Sequence, residues 1–96
     1  MLQFVIIAQD GTDAGAINRR MAVRPLHLKG AAKLKETNNF ILGGAILNKE
    51  GTMTGSVMVV QFDTEDQMKN WFENEPYVTG DVWQKIEVKP FKVADV

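Results

Sequence analysis

The residues of this chain best suited to acid–base chemistry are a histidine, His27, and a carboxylate that precedes a proline, Glu75. His27 is the only histidine, and an imidazole can take up and release a proton near neutral pH. Glu75 is followed by Pro76 and Tyr77 at the end of an apolar helical pattern, so the chain is expected to turn there. A carboxylate beside a histidine fixes the ring tautomer and stabilises the imidazolium. We therefore predict a site in which His27 is a general base and Glu75 orients it.

Four further side chains are candidates for contacts with a ligand in the same site. Arg24 precedes His27 by three positions and offers a cation to an anionic or carbonyl oxygen. Ser56 opens a strand pattern and offers a hydroxyl that can donate a hydrogen bond. Tyr77 and Trp71 supply aromatic rings for an apolar wall. The expected ligand is a small organic molecule.

Each of these residues also has a purely structural interpretation. His27 lies at the flank of an apolar helical stripe, as a boundary histidine does, and Glu75 with Pro76 is what a helix end requires. The other four have similar alternatives: a surface ion pair for Arg24, a strand entry for Ser56, and core packing for Trp71 and Tyr77.

Length and charge limit the kind of protein that these residues serve. The chain has 96 residues, enough for one compact domain, so residues 1–96 are expected to form a single unit. Eleven basic and twelve acidic side chains give a net charge of -1, which provides no positive field for nucleic acid or for a membrane surface.

Cysteine is absent, which excludes disulfides and thiolate nucleophiles, and a lone histidine argues against a metal centre. The apolar N-terminal run is too short to span a bilayer and lacks the basic segment of a secretory signal. We expect a cytoplasmic protein that uses neither a metal nor a cofactor.

Apolar periodicity predicts the element order strand, helix, strand, strand, helix, strand. Ile17, Met21, Leu28 and Ala32 are expected on the inner face of the first helix, with a kink at Pro25. Predicted strands cover residues 2–9, 39–47, 55–62 and 82–91, and predicted helices cover residues 14–35 and 64–75, the second of them opened by a capping box of Thr64 and Gln67. This order is that of the α+β ferredoxin-like βαββαβ fold, a four-stranded antiparallel sheet with two helices on one face.

The other face of that sheet is also expected to be apolar. Val5 and Ile7 in the first strand and Val57 and Val59 in the third alternate with the residues that face the helices. An apolar face of this kind needs a cover, and two-fold homodimers are the commonest oligomers. We predict a homodimer in which two sheets pack face to face, with the site outside the interface.

The ordered set of motifs resembles the YCII-related (YciI-like) family over nearly the whole chain. The motifs are residues 24–28, Gly43-Gly44, Gly55-Ser56 and residues 71–91. The resemblance implies a small cytoplasmic protein with a dimeric α+β barrel, in which His27 matches an active-site histidine and Ser56 a glycine–serine position. Glu75 takes the place of the aspartate of an Asp-Pro-Tyr turn. The implied chemistry is proton abstraction leading to elimination, isomerisation or hydrolysis, and one family member is linked to dehydrochlorination.

Two other functions stay open on the sequence. The first is a non-catalytic dimeric module that binds a small metabolite or assists an enzyme. The second is kinship to other dimeric ferredoxin-like barrels, such as cofactor-independent monooxygenases or lactone isomerases, because a fold does not fix a function. Contact between His27 and Glu75 beside an open cavity would favour the enzyme.

Overall fold

A computed structural model describes all 96 residues. The chain forms a four-stranded sheet of order β2-β3-β1-β4 in which each pair of neighbours is antiparallel. This confirms the predicted ferredoxin-like α+β fold, to which a third, short helix is added. The elements are β1 (Leu2–Asp10), α1 (Ala16–Glu36), β2 (Phe40–Leu47), β3 (Met53–Phe62), α2 (Glu65–Glu73), α3 (Pro76–Thr79) and β4 (Trp83–Phe91).

The core lies between the helices and one face of the sheet. Alternate residues of the two central strands fill it: Phe4 is paired with Val60, and Ile6 with Met58, and all four are buried. Burying a side chain of this size contributes about 1.5–3 kcal/mol. Helix α2 adds Met68 to the same cluster.

The inner face of α1 differs from the predicted one. Met21 and Leu28 are each 47% exposed and Ala32 is exposed, so the prediction is wrong at these positions. Arg20 is buried instead, and His27 is partly buried. Arg20 Nη1 and His27 Nδ1 find partners inside the protein, which offsets part of the cost of removing these side chains from water, although Arg20 Nε is buried without a hydrogen-bond partner. A prediction from apolar periodicity assigns such polar side chains to the outer face of the helix.

Helix α1 runs across Pro25 without interruption, and neither it nor any other helix has the length and apolarity that a membrane crossing requires. Helix α2 begins as predicted, with the Thr64 side chain accepting from Gln67 N at 3.2 Å. The reciprocal bond is shifted by one residue, because Gln67 Oε1 accepts from Asp63 N rather than from the N-cap residue.

The side of the sheet that carries no helix, here called the open sheet face, is largely apolar on β1 and β3, as predicted, and on β2, whereas β4 places Lys85, Glu87 and Lys89 there. Val5 and Ile7 of β1 lie opposite Val59 and Val57 of β3. Strand β2 extends this surface with Leu42, which is 52% exposed, opposite Val59. Ile7 is itself 38% exposed, so the single chain leaves large apolar side chains in water.

Candidate functional site

The short helix α3 presents a buried carboxylate to helix α1. Pro76 restricts the preceding residue to extended geometry, and Glu75 has φ −64° and ψ 127°. From this position Glu75 Oε1 accepts from Tyr77 N at 3.0 Å, which caps the helix. The residue is only 3% exposed, so the turn places a carboxylate inside the protein.

The imidazole of His27 contacts that carboxylate directly. His27 Nδ1 lies 2.6 Å from Glu75 Oε1. Because an ionised carboxylate only accepts hydrogen bonds, Nδ1 carries the proton, and in the neutral ring Nε2 keeps a free lone pair. The ring also stacks on Tyr77 with centroids 3.9 Å apart and an interplanar angle of 14°. Two contacts therefore fix the orientation of the imidazole.

A second buried polar group joins α1 to the sheet. Arg20 Nη1 donates to both carboxylate oxygens of Asp10 at 3.0 Å, and Arg20 Nη2 donates to Ser56 Oγ at 2.8 Å. Trp83 Nε1 donates to the same Ser56 oxygen at 3.1 Å. The Arg20 guanidinium lies 4.7 Å from the centroid of the Tyr77 ring, a cation–π distance. The Tyr77 ring thus contacts both the imidazole of His27 and the guanidinium of Arg20.

A cavity of about 190 Å³ lies between α1, α3, β2 and β3. Gly43 allows the Phe40 ring to pack against the backbone at this point, because a Cβ at position 43 would come within 3.0 Å of that ring. Both the helices and the sheet contribute polar and apolar side chains to the cavity walls. The lining residues are Arg20, Arg24, His27, Leu28, Ala31, Phe40, Gly43, Gly44, Ala45, Ser56, Met58 and Tyr77.

Four of the six predicted site residues line this cavity, namely Arg24, His27, Ser56 and Tyr77. Glu75 does not line it and contacts His27 at Nδ1. Trp71 is not brought to the cavity: its ring packs 5.9 Å from the Phe62 ring and 6.4 Å from the Phe72 ring, centroid to centroid. For Trp71 the structure shows the core-packing arrangement.

Three residues of the site were not predicted from the sequence, namely Asp10, Arg20 and Trp83. A signal existed for Arg20, because positions 20, 24 and 27 have the spacing of a single helix face. That face carries Arg20, Arg24 and His27, all three of which line the cavity. Asp10 and Trp83 offered no comparable signal, since their partners are distant in sequence.

The hydroxyl of Tyr77 is less acidic than that of a tyrosine in water. Burial raises the pKa of Tyr77 above its ordinary value of 10.0, although the charges of Arg20 and Arg24 act in the opposite direction. A neutral ring preserves the stacking surface for His27. No three side chains of the His, Cys, Asp and Glu types lie close enough together to hold a metal ion.

Solved structures with the same architecture include an enzyme and a dimer. A 5-chloro-2-hydroxyhydroquinone dehydrochlorinase (TftG) from Burkholderia phenoliruptrix AC1100, in complex with 2,5-dihydroxybenzoquinone, superposes with a TM-score of 0.80 at 23% identity, covering 96% of this chain and 95% of that one. A dimeric ferredoxin-like protein from Jannaschia sp. CCS1 gives a TM-score of 0.56 at 12% identity, covering 97% of this chain and 100% of the other. At these identities the similarity shows the fold.

Sequence relatives identify the family. Protein YciI of Escherichia coli O6:H1 is 32% identical over 95 residues, covering 93% of this chain and 95% of that protein. A Haemophilus influenzae protein is 34% identical over 97 residues, covering 95% and 97%. The YCII-related domain matches residues 2–92. This match leaves out only residue 1 and residues 93–96. The chain therefore belongs to the YCII-related family.

Proposed function

We propose that this protein is a cofactor-independent enzyme that removes a proton from a small organic molecule, with His27 as the base. The observation that carries the proposal is the 2.6 Å contact between His27 Nδ1 and Glu75 Oε1 beside a cavity that His27 lines. The contact commits Nδ1 to the carboxylate and leaves Nε2 as the ring nitrogen that can accept a proton.

Proton transfer to Nε2 would create an imidazolium inside the protein. Glu75 stabilises that cation through the bond to Nδ1, and the Tyr77 face adds a cation–π contact. The electron pair left on the substrate is delocalised onto an oxygen, which Arg24 and Ser56 stabilise from the cavity wall. Loss of a leaving group with its bonding electron pair then gives elimination, and reprotonation at another carbon gives isomerisation. In hydrolysis His27 would instead take the proton of a water molecule as that water attacks a carbonyl carbon, and return the proton to the leaving group.

The glutamate at position 75 is compatible with this role. By resemblance it replaces the aspartate of the family's Asp-Pro-Tyr turn, and it carries one more methylene. In the structure a single oxygen of Glu75 nevertheless contacts both His27 Nδ1 and Tyr77 N. The longer side chain therefore reaches the two groups that a catalytic carboxylate at this turn has to reach.

The first reaction to test is elimination, because a structural neighbour is a dehydrochlorinase. Chloride release from 5-chloro-2-hydroxyhydroquinone, and turnover of a panel of small lactones and ketones, would be followed with wild type and two variants. His27→Gln and Glu75→Gln are each expected to lower kcat/KM by about 100-fold or more, the usual contribution of a general base. Glu73→Gln is the matched control, since Glu73 is exposed and two positions away.

Unchanged turnover in folded His27→Gln would contradict the assignment of the base. The alternative function is a binding module, favoured by the small, largely apolar lining of the cavity. That alternative predicts binding of panel compounds with no turnover by wild type.

We further propose that the protein acts as a homodimer joined through the open sheet face. The support is the exposure of Ile7, Leu42 and Ile46 on that face and the dimeric state of a protein with the same fold. The cavity lies on the helix side of the sheet, so dimerisation leaves it accessible. The proposed partners are a second copy and a small molecule, and a cytoplasmic location remains a prediction from the absence of cysteine.

A further inference from the structure

The hydrogen bonds of Ser56 determine what a ligand must offer at that point of the cavity. Ser56 lies on β3 between Ala8 of β1 and Ala45 of β2, whose small side chains leave its hydroxyl clear. It is 2% exposed and lines the cavity beside Arg20, His27 and Tyr77. Any hydrogen bond beyond those made by the protein must come from the contents of the cavity.

A serine hydroxyl has one proton to donate and two lone pairs that accept. Arginine and tryptophan side chains can only donate. Arg20 Nη2 and Trp83 Nε1, at 2.8 and 3.1 Å, therefore occupy both lone pairs of Ser56 Oγ. The hydroxyl proton is the one hydrogen-bonding group of Ser56 that these two contacts leave unused.

Charge around the cavity acts in the same direction. Arg20 is neutralised by Asp10 at 3.0 Å. Arg24 also lines the cavity and takes part in none of the ion pairs of the structure. The cavity is thus lined by one unpaired cation and by one donor whose proton has no protein acceptor, an arrangement that favours an anionic oxygen.

We propose that Ser56 is a fixed hydrogen-bond donor to an oxyanion of the ligand, of the phenolate or enolate class, and that Arg20 and Trp83 are positioning residues that aim its proton. This inference rests on the proposed function, because it concerns the same cavity. A ligand hydroxyl that donated its proton to Ser56 Oγ would compete with the N–H groups of Arg20 and Trp83 for the lone pairs of that oxygen. The site should therefore bind the ionised form of a phenol more tightly than the neutral form.

The probe is 4-nitrophenol, whose neutral and ionised forms differ in absorbance, titrated with wild-type protein at several pH values. The phenolate is expected to bind at least about tenfold more tightly than the phenol, because an oxygen that only accepts matches the free donor. The pKa of the bound probe is then lower than that of the free probe. Such a shift reports on the donors and cations around the bound oxygen, and a general loss of packing would not produce it; the variants below separate the contribution of Ser56.

Two variants disrupt the Ser56 hydrogen bonds at different points. Ser56→Ala deletes the donor and Trp83→Phe deletes one of the N–H groups that orient it. Each is expected to raise the Kd of the phenolate, by about tenfold for Ser56→Ala and by less for Trp83→Phe, and to return the pKa of the bound probe toward its free value. Trp71→Phe is the matched control, since that ring lies outside the cavity and both quantities should stay as in wild type.

Equal binding of the two probe forms, no binding to wild type, or an unchanged phenolate Kd in both folded variants would overturn the inference. If Ser56→Ala fails to fold, Trp83→Phe decides. The indole N–H signal of Trp83, assigned with Trp71→Phe, gives a second test in wild type: it should shift when the phenolate is added, and a fixed signal would contradict the assignment. Binding of the probe requires no proton transfer, so the two proposals can fail separately. If wild type turns over none of the compounds of the activity panel but binds 4-nitrophenolate through Ser56, the proposed enzyme is overturned and this inference stands.

Discussion

Two adjacent arginines of α1 form ion pairs in opposite environments. Arg19 pairs with Asp13 at the surface, where the two side chains are 32% and 54% exposed, whereas Arg20 pairs with Asp10 at 3% exposure for each. Water and salt screen the first pair, so that it contributes little. The second pair stands in the interior, where loss of one partner leaves the other charge without compensation.

Substitution of the two arginines should therefore affect stability very differently. Arg20→Leu is expected to lower the free energy of unfolding by about 3–5 kcal/mol, because it leaves Asp10 buried and unpaired. Arg19→Leu serves as the matched control and should cost a small fraction of that amount. Urea denaturation followed by circular dichroism measures both, and equal losses would show that Asp10 and Arg20 do not act as a buried pair.

At the scale of elements, α3 is too short to be stable by itself, since it has four residues and isolated helices need many more. Its attachment comes from the Glu75 cap, from burial of Tyr77 at 1% exposure, and from close packing at its end. A Cβ on Gly80 would come within 2.7 Å of the Pro76 carbonyl oxygen. The position of Glu75 against His27 therefore depends on how firmly α3 is packed.

Ionisation of Tyr77 should release α3 at alkaline pH. The pKa of Tyr77 is raised by burial above 10.0, so the folded state favours the neutral phenol. The resulting stability is fully present below about pH 10 and is lost as the pH rises through the higher folded value. Tyr77 is the only tyrosine, so its absorbance reports the titration directly.

The expected result is a tyrosinate signal that appears at higher pH in the folded protein than in urea. The free energy of unfolding should fall over the same range in wild type. Tyr77→Phe provides the control, because it keeps the ring and removes the ionisable group, and its stability should change less over this interval. Identical titrations in the folded and unfolded protein would contradict the burial effect.

In the whole molecule, a single core on one side of the sheet leaves the apolar side chains of the other side uncovered in the single chain. Ile7 stands near the middle of the open sheet face, opposite Val57 on β3 and Glu87 on β4. A second copy would cover this surface by packing its own sheet against it. The helices and the cavity then remain outside the interface.

Ile7→Lys should convert the proposed dimer into a monomer. A lysine there buries a charge in the interface, while the cross-strand neighbour Glu87 offers it a partner in the monomer, which protects the fold. Analytical ultracentrifugation should give twice the chain mass for wild type and the chain mass for the variant. Leu26→Lys, at a 60% exposed position of α1, is the control and should stay dimeric. A monomeric wild type would contradict the proposal.

The element order, and with it the fold, could be predicted from the sequence alone, because apolar periodicity and turn residues act locally. Helix α2 begins after Thr64 as predicted, and the extended geometry of Glu75 follows from Pro76. Candidate chemistry could also be named from residue types, since His27 is the only histidine. That His27 meets Glu75, 48 positions away, was a hypothesis that residue types and resemblance suggested.

Which polar residues lie inside the protein could be learned only from the folded chain. Arg20 enters the core because Asp10 and Ser56, on two neighbouring strands, meet its guanidinium, and periodicity carries no information on such distant partners. Trp71 turns away from the cavity because Phe62 and Phe72 offer it packing surface. Burial of a polar side chain depends on partners that the whole fold assembles. Because two such side chains occupy the inner side of α1, apolar spacing alone also failed to predict that Met21 and Leu28 are exposed.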